Sequence, residues 1–439
     1  MRLGHPRLTL VLVLLGALTL PSCAPAAPAG QGGSAGPVPG RPGTSSTPSG
    51  APAASGVPTA SARPAGTTPP VPATPSPPTA TRQAAARLQA VLDGFRAQES
   101  SPGLSATILF PDGTSWTGVS GMAEIVARRP VTPETAFPIA SISKTFLAAL
   151  VLELSGEGAF ELDEPAALLL PDLELDPAIT VRMLLDHTSG LRDFFEHRLI
   201  DRALQDEPSV WWSPTRALGY MEAPYFPPGT GSHYSNTNYL LLGMLAERAT
   251  GRKLADQLRD RFLDPLALGS AWYQDAERPR APLAHGYRLT GLAPNLGRQD
   301  LDDGTGVAPF RSVVTAAGGA GGLAADSLDV ARWARALYGG DAIDSRSLAI
   351  MLSGVDHVAT YQPTVPYGLG VQAVIIDGHR TFGHSGRFLG FRAAMRWLPD
   401  ESLAIAVLSN QSRSDLGPLT ASLLRVVLPS LAPCCPAPR

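Results

Sequence analysis

Phe137-Pro138-Ile139-Ala140-Ser141-Ile142-Ser143-Lys144-Thr145-Phe146 is the stretch on which the reading of this chain turns. At the start of a helix, residues three apart share a face, so the Lys144 amine reaches the Ser141 hydroxyl. The helix N-terminus adds a partial positive charge that favours a developing oxyanion. Lys144 and Lys253 are the only lysines in the chain, whose other permanently basic side chains are all arginine. A buried ammonium loses hydration and its pKa falls, which suits lysine, and not arginine, to proton transfer. The alternative is a helix cap at Ser141 with Lys144 turned to solvent. The apolar run Phe146-Leu147-Ala148-Ala149-Leu150-Val151 that follows stands against it.

Two further stretches carry chemistry. Turn residues Pro227-Pro228-Gly229 lead to His233-Tyr234-Ser235-Asn236, ahead of a helix expected from Asn238 to Arg248. In an extended loop, side chains two apart point the same way, so Tyr234 and Asn236 are expected to face one pocket. A phenol beside an ammonium accepts a serine proton and returns it to a leaving group, while the Asn236 amide holds a substrate carbonyl. Alone the pattern is weak, its plain reading being a buried tyrosine and a capping asparagine. Phe382-Gly383-His384-Ser385-Gly386-Arg387 is a glycine-flanked segment expected to lead into a strand near Phe391. Glycine there lets a substrate approach a strand edge and its backbone N–H donors. His384 binds a carboxylate if protonated and is a neutral donor otherwise, or it is a structural imidazole.

The flanking pattern places strands at both ends of the body. Leu88, Leu92 and Phe95 mark a helix, followed by a hairpin from Leu104 to Val119 turning at Pro111-Asp112-Gly113-Thr114. Leu369–Ile376, Phe391–Trp397 and Leu403–Leu408 read as strands, and Leu419–Val427 as a helix. Helical patterns dominate between them, at Ser141–Leu154, Val181–Asp186 and Leu328–Leu337. The economical arrangement is α+β: a mostly antiparallel sheet built from both termini, flanked by helices, with an inserted helical lobe and the site in the cleft between.

Composition bounds the rest. The chain of 439 residues carries 35 basic against 38 acidic side chains and no basic stripe, which argues against nucleic acid as a partner. Arg2 and Arg7 precede the apolar run Leu8–Leu20, the length of a secretory h-region, so residues 1–22 are expected to be a signal peptide. Leu20-Pro21-Ser22-Cys23 resembles a bacterial lipobox despite the unusual Pro21, making Cys23 a candidate for lipidation and a membrane anchor; plain secretion is the alternative. Residues 23–82, almost all Pro, Ala, Gly, Ser and Thr to about Thr81, read as a disordered linker, 83–430 as one catalytic domain and 431–439 as a tail. With the other cysteines confined to Cys434 and Cys435, the body has no disulfide framework.

In this order, Ser-x-x-Lys, Tyr-x-Asn and His-Ser-Gly resemble the penicillin-recognising serine hydrolases. The branch is that of D-alanyl-D-alanine carboxypeptidases, class C β-lactamases and related esterases, and the resemblance runs from about Leu88 to Leu428. Leu184-Leu185-Asp186-His187-Thr188-Ser189-Gly190-Leu191, Phe226-Pro227-Pro228-Gly229 and Gly318-Gly319-Ala320-Gly321-Gly322-Leu323 look like the same family. The resemblance implies a β-lactamase/transpeptidase-like fold and acylation of Ser141, with acid/base work shared by Lys144 and Tyr234. It also implies substrate positioning by Asn236, an oxyanion hole from the backbone N–H of Ser141 and Arg387, and no metal or organic cofactor. Class C β-lactamases carry lysine where this chain has His384, and some carboxypeptidases carry histidine. The expected substrate is therefore a D-alanyl peptide or small ester, with a β-lactam or an inactive envelope-tethered binding protein as alternatives. His187 and the glycines at 318–322 are expected to serve turns.

Overall fold

The computed structural model describes residues 79–291, 297–354 and 365–431; the expected signal peptide, Cys23, nearly all of the linker and the tail cysteines lie outside them. The first helix, Thr79–Gln98, begins within the last residues assigned to the linker. The chain becomes helical directly after Pro77-Pro78, where the run of residues that break a helix ends. Its strands among the described residues are β1 (Gly103–Leu109), β2 (Ser115–Glu124), β3 (Arg129–Pro130), β4 (Phe137–Pro138), β5 (Trp272–Tyr273), β6 (Tyr287–Thr290), β7 (Gly297–Asp300), β8 (Leu323–Ala325), β9 (Gln372–Ile376), β10 (His379–Phe388), β11 (Phe391–Leu398) and β12 (Leu403–Ser409).

Seven of these form one antiparallel sheet in the order β3-β2-β1-β12-β11-β10-β9. The two ends of the body meet at its centre, where Ala106 of β1 faces Val407 of β12. Both central strands are buried along their whole length, because helices cover both faces. Leu104, Ala106 and Ile108 turn toward Leu88 and Leu92 of the first helix and Leu419, Leu423 and Leu424 of the last, Gly417–Leu431. The alternate residues Ser105 and Thr107 face the other way and hydrogen-bond Ser327 at 2.8 and 2.7 Å. These small hydroxyls seat the N-terminus of helix Ser327–Gly339, capped by Asp326, close against the sheet.

On that second face lies helix Ser143–Gly156, in which every side chain from Ser143 to Leu152 is buried. A helix apolar all round belongs at the centre of a domain. Trp333 stacks on its Phe146 with centroids 3.8 Å apart, and donates through Nε1 to Thr145 at 2.8 Å. A small sheet, β4-β8-β5, ties the chain just before this helix to the end of the glycine run at 318–322.

The α+β arrangement matches the expectation from pattern, with one difference that matters to the site. His379–Phe388, expected only as a lead-in to the next strand, is itself a ten-residue strand of the sheet. Two glycines in the segment hide its strand character, because they carry no side chain to alternate. Each is required by a close approach: a Cβ at Gly383 would lie 1.9 Å from the Met395 carbonyl oxygen, and one at Gly386 2.3 Å from that of Ile139. For the packing itself, Leu92→Ala should lower stability by about 2–5 kcal/mol in chemical denaturation, as large-to-small core changes do. An unaltered unfolding midpoint would mean that the terminal helices do not share the sheet's core.

Candidate active site

Three short elements converge on Ser141. It sits in the 3₁₀ turn Ala140–Ile142, which runs directly into helix Ser143–Gly156. Ile139 donates its N–H to Leu323 at 3.0 Å, and Leu323 N–H is accepted by Ser143 Oγ at 3.1 Å. The serine turn and β8 are thus locked together. Lys144 is completely buried, with Nζ 3.1 Å from Ser141 Oγ, 2.8 Å from Asn236 Oδ1 and 2.9 Å from the Ala320 carbonyl oxygen. Asn236 Oδ1 and the Ala320 carbonyl can only accept. A neutral amine has two N–H bonds for them and one lone pair left for the Ser141 proton. Burial pushes the Lys144 pKa down to about 7, against the opposing pull of Asp193, so the neutral form is accessible.

The glycine run at 318–322 supplies the third acceptor, a role its sequence did not suggest. A Cβ at Gly319 would meet Leu147 at 2.5 Å and one at Gly321 would meet Phe388 at 2.6 Å. Bare Gly319 lets the chain close on the lysine helix and bare Gly321 lets it close on strand β10, which brings the Ala320 carbonyl between them onto Nζ.

Asn236 is the first residue of helix Asn236–Thr250, two residues earlier than expected, with Ser235 as an extended N-cap. Tyr234 and Asn236 therefore do not share an extended loop, yet both reach Lys144. The ammonium lies 4.9 Å from the Tyr234 ring centroid. Both ends of the Asn236 amide have protein partners, because Nδ2 donates to Asp193 Oδ2 at 2.6 Å. Asp193, which sequence reading passed over, caps the turn Phe194–Glu196 by accepting from Phe195 N–H at 2.9 Å. Burial raises its pKa, opposed by these donors and by Lys144. It is the buried carboxylate that orients Asn236, and an aspartate in Leu191-Arg192-Asp193-Phe194 carries no spacing signal that would have revealed it.

Strand β10 forms the other wall. The Ser385 N–H bonds the Gln372 side chain at 3.0 Å, on the side of β9, which ends at Gln372 opposite Gly383. Strand alternation turns the Arg387 N–H to that same edge, beyond the end of β9. Gly386 lies against the Ile139 carbonyl, so this edge runs beside the serine turn, as an oxyanion hole made with the Ser141 N–H requires. The Arg387 side chain is exposed. The Ser385 hydroxyl contacts Gln372 Oε1 at 3.1 Å and accepts from Arg396 at 2.9 Å. His384 is buried, with Nε2 3.0 Å from Tyr367 Oη and Nδ1 2.6 Å from the Ser385 carbonyl oxygen. Burial, then Lys144, drives its pKa down to about 3, so it stands as a neutral imidazole with both nitrogens engaged. Desolvation disfavours the protonated form that the sequence allowed. Among the described residues no cluster of three or more His, Cys, Asp or Glu is arranged to hold a metal ion.

Acylation through a neutral Lys144 should rise with pH through an apparent pKa of about 7. The Asp193 carboxylate favours the ammonium, so Asp193→Asn should move this limb to lower pH while reducing the plateau rate about tenfold or more. A limb that does not move would show that Asp193 does not sense the amine.

Residues 88–427 match the family model described as Beta-lactamase. A D-aminopeptidase of Cereibacter sphaeroides is 29% identical over 315 residues, 71% of this chain and 57% of the relative, so the chain spans little more than half that protein's length. The solved D-stereospecific amidohydrolase from Streptomyces sp. is 27% identical with a TM-score of 0.65, covering 77% of this chain and 97% of its own. The D-amino acid amidase from Ochrobactrum anthropi SV3, solved with L-phenylalanine, is 25% identical with a TM-score of 0.67, covering 79% and 99%. Fold, reacting centre and sequence together make this chain a member of the β-lactamase family of serine hydrolases.

Proposed function

We propose that the protein hydrolyses amides and short peptides whose acyl part is a D-amino acid with a free amino group, through an acyl-enzyme on Ser141. The observation that carries this reading is the state of His384. A protonated imidazole would attract a substrate carboxylate, whereas this one is buried, pushed toward its neutral form and has both nitrogens engaged. That argues against the D-alanyl-D-alanine carboxypeptidase expected from sequence. Arg387 is exposed on the strand edge, and on the opposite side a carboxylate stands where a substrate ammonium can be held. Three residues along the turn from Asp193, exposed Glu196 accepts from the Tyr225 hydroxyl, and Tyr225 stacks on His233 next to Tyr234 with centroids 3.8 Å apart. The names of the relatives, a D-aminopeptidase and a D-amino acid amidase, point the same way.

In this reading neutral Lys144 takes the Ser141 proton as Oγ attacks the amide carbon. The oxyanion is held by the N–H groups of Ser141 and Arg387. The Ser141 proton is relayed from Lys144 through Tyr234 to the departing amine, the C–N bond breaks, and water enters by the reverse proton path to release the D-amino acid. The same proposal puts the enzyme on the outer face of the cell membrane, supported by the apolar run Leu8–Leu20 and by Cys23. Among the described residues no helix is long and apolar enough to cross a membrane.

A panel of D-alanine p-nitroanilide, its L enantiomer, N-acetyl-D-Ala-D-Ala, p-nitrophenyl acetate and nitrocefin tests the activity. The D-anilide should turn over at least tenfold faster than the L form and the acetylated dipeptide, and Ser141→Ala should abolish the rate with an unchanged melting temperature. Preference for the acetylated dipeptide would establish the carboxypeptidase, rapid nitrocefin turnover a β-lactamase, and folded protein inert to all five a binding protein. Mass spectrometry of the mature N-terminus should find acylated Cys23; an unmodified cysteine would leave plain secretion.

A further inference from the structure

His187 is a buried imidazole that the acid/base scheme does not use. It follows helix Val181–Leu185 and is 2% exposed. Its backbone has φ +64°, a left-handed conformation that a non-glycine residue adopts only when its surroundings hold it there. Tyr234, Tyr367 and Tyr239 surround the ring, with centroids at 4.4, 4.8 and 5.3 Å.

The contacts of His187 bracket one residue. Its carbonyl oxygen accepts the His233 N–H at 3.0 Å, and its Nδ1 accepts the Ser235 N–H at 3.2 Å. Tyr234 is the residue between. A backbone N–H can only donate, so Nδ1 carries no proton and the Nε2–H tautomer is defined. A second donor, Asn238 Nδ2 at 3.1 Å, reaches the same nitrogen, and Asn238 Oδ1 is fixed by the Ser189 hydroxyl at 2.7 Å. Burial, followed by the charge of Lys144 and the imidazoles of His384 and His233, disfavours a proton on the ring. The segment from Tyr225 to Tyr234 has no helix or strand of its own. Its further ties to this loop are Tyr225 N–H to the Gly190 oxygen at 2.9 Å and Gly229 N–H to the Thr188 oxygen at 2.9 Å.

We infer that His187 is the positioning residue for Tyr234: it holds the backbone on both sides of the phenol and packs its ring against it, so that the hydroxyl meets the Ser141 proton path. It acts through Tyr234, since among the described residues no hydrogen bond joins His187 to Ser141. A phenol on an irregular loop keeps catalytic alignment only if its supports are rigid, because small misplacements slow proton transfer far more than they weaken binding. This inference rests on Ser141 being the acylated residue, but not on the identity of the substrate.

The test uses the full chain and saturation kinetics of a fluorophosphonate probe, which reports attack by the Ser141 hydroxyl at phosphorus, with loss of fluoride, whatever the natural substrate. Wild-type protein that folds yet is never labelled at Ser141 overturns the hydrolase reading itself. With labelling established, His187→Phe, which keeps a ring but removes the acceptor, should slow the maximal labelling rate at least thirtyfold and change the half-saturating probe concentration less than threefold. His187→Asn places an amide oxygen near the position of Nδ1 and should recover most of that loss, whereas His187→Gln, with its oxygen one bond further out, should not. Equal losses in the asparagine and glutamine variants, or a phenylalanine variant within threefold of wild type, would reduce His187 to packing and overturn the inference. If the phenylalanine variant fails to fold by circular dichroism, the asparagine and glutamine pair decides.

Discussion

A lysine amine removed entirely from water is the constraint around which this molecule is organised. Burying a charged ammonium costs several kcal/mol unless it is well paired, and the alternative open to lysine is to give up its proton. Here the surroundings supply two neutral acceptors, the Asn236 amide and the Ala320 carbonyl, and one hydroxyl, Ser141. The single carboxylate that influences it, Asp193, is held one side chain away behind Asn236. A direct ion pair would have locked the amine in its charged form. Interposing an amide keeps the nitrogen oriented while leaving it able to act as a base.

Much of the architecture can be understood as what it takes to enclose that amine. Helix Ser143–Gly156 is buried on every side, so its first turn has to be sealed by other elements. The glycine run seals it from one direction because bare α-carbons let the backbone approach. Helix Asn236–Thr250 seals it from another with its first residue, and the rings of Tyr234 and Tyr239 cover the remaining sides at 4.9 and 5.4 Å from Nζ. Strand β10 then runs beside the serine turn, kept there by the fit of Gly386 against Ile139. The same dry environment that lowers the pKa of the lysine also lowers that of His384, so one physical cause acts on both groups.

The relation to D-aminopeptidases and D-amino acid amidases is intelligible in these terms. Enzymes of one fold share an acylation centre and differ in what surrounds it. In this chain the strand edge presents backbone donors and a neutral imidazole, while the segment after Asp193 presents a carboxylate, Glu196, held by Tyr225. On the proposed reading, such an arrangement would distinguish the charged end of a substrate by the sign of its charge.

Residue order by itself determined the contact between Ser141 and Lys144 and the outline of the fold. Ser141 and Lys144 are one helical turn apart, so their contact is a local property of the backbone, and the rarity of lysine marks the pair out. The strands at both ends were legible too, because short runs of apolar or alternating residues between turn signals are written into β1, β11 and β12. Strand β10 was not, since glycines at 383 and 386 erase the alternation by which strands are recognised. Nor were Asp193, the Ala320 carbonyl and the bracket that His187 forms around Tyr234: each depends on segments 40 to 180 residues apart meeting through backbone atoms or buried hydrogen bonds. Tertiary structure decided the complete burial that shifts the pKa values of His384 and Lys144 downward, because burial is a property of the assembled surroundings and no side chain carries it on its own.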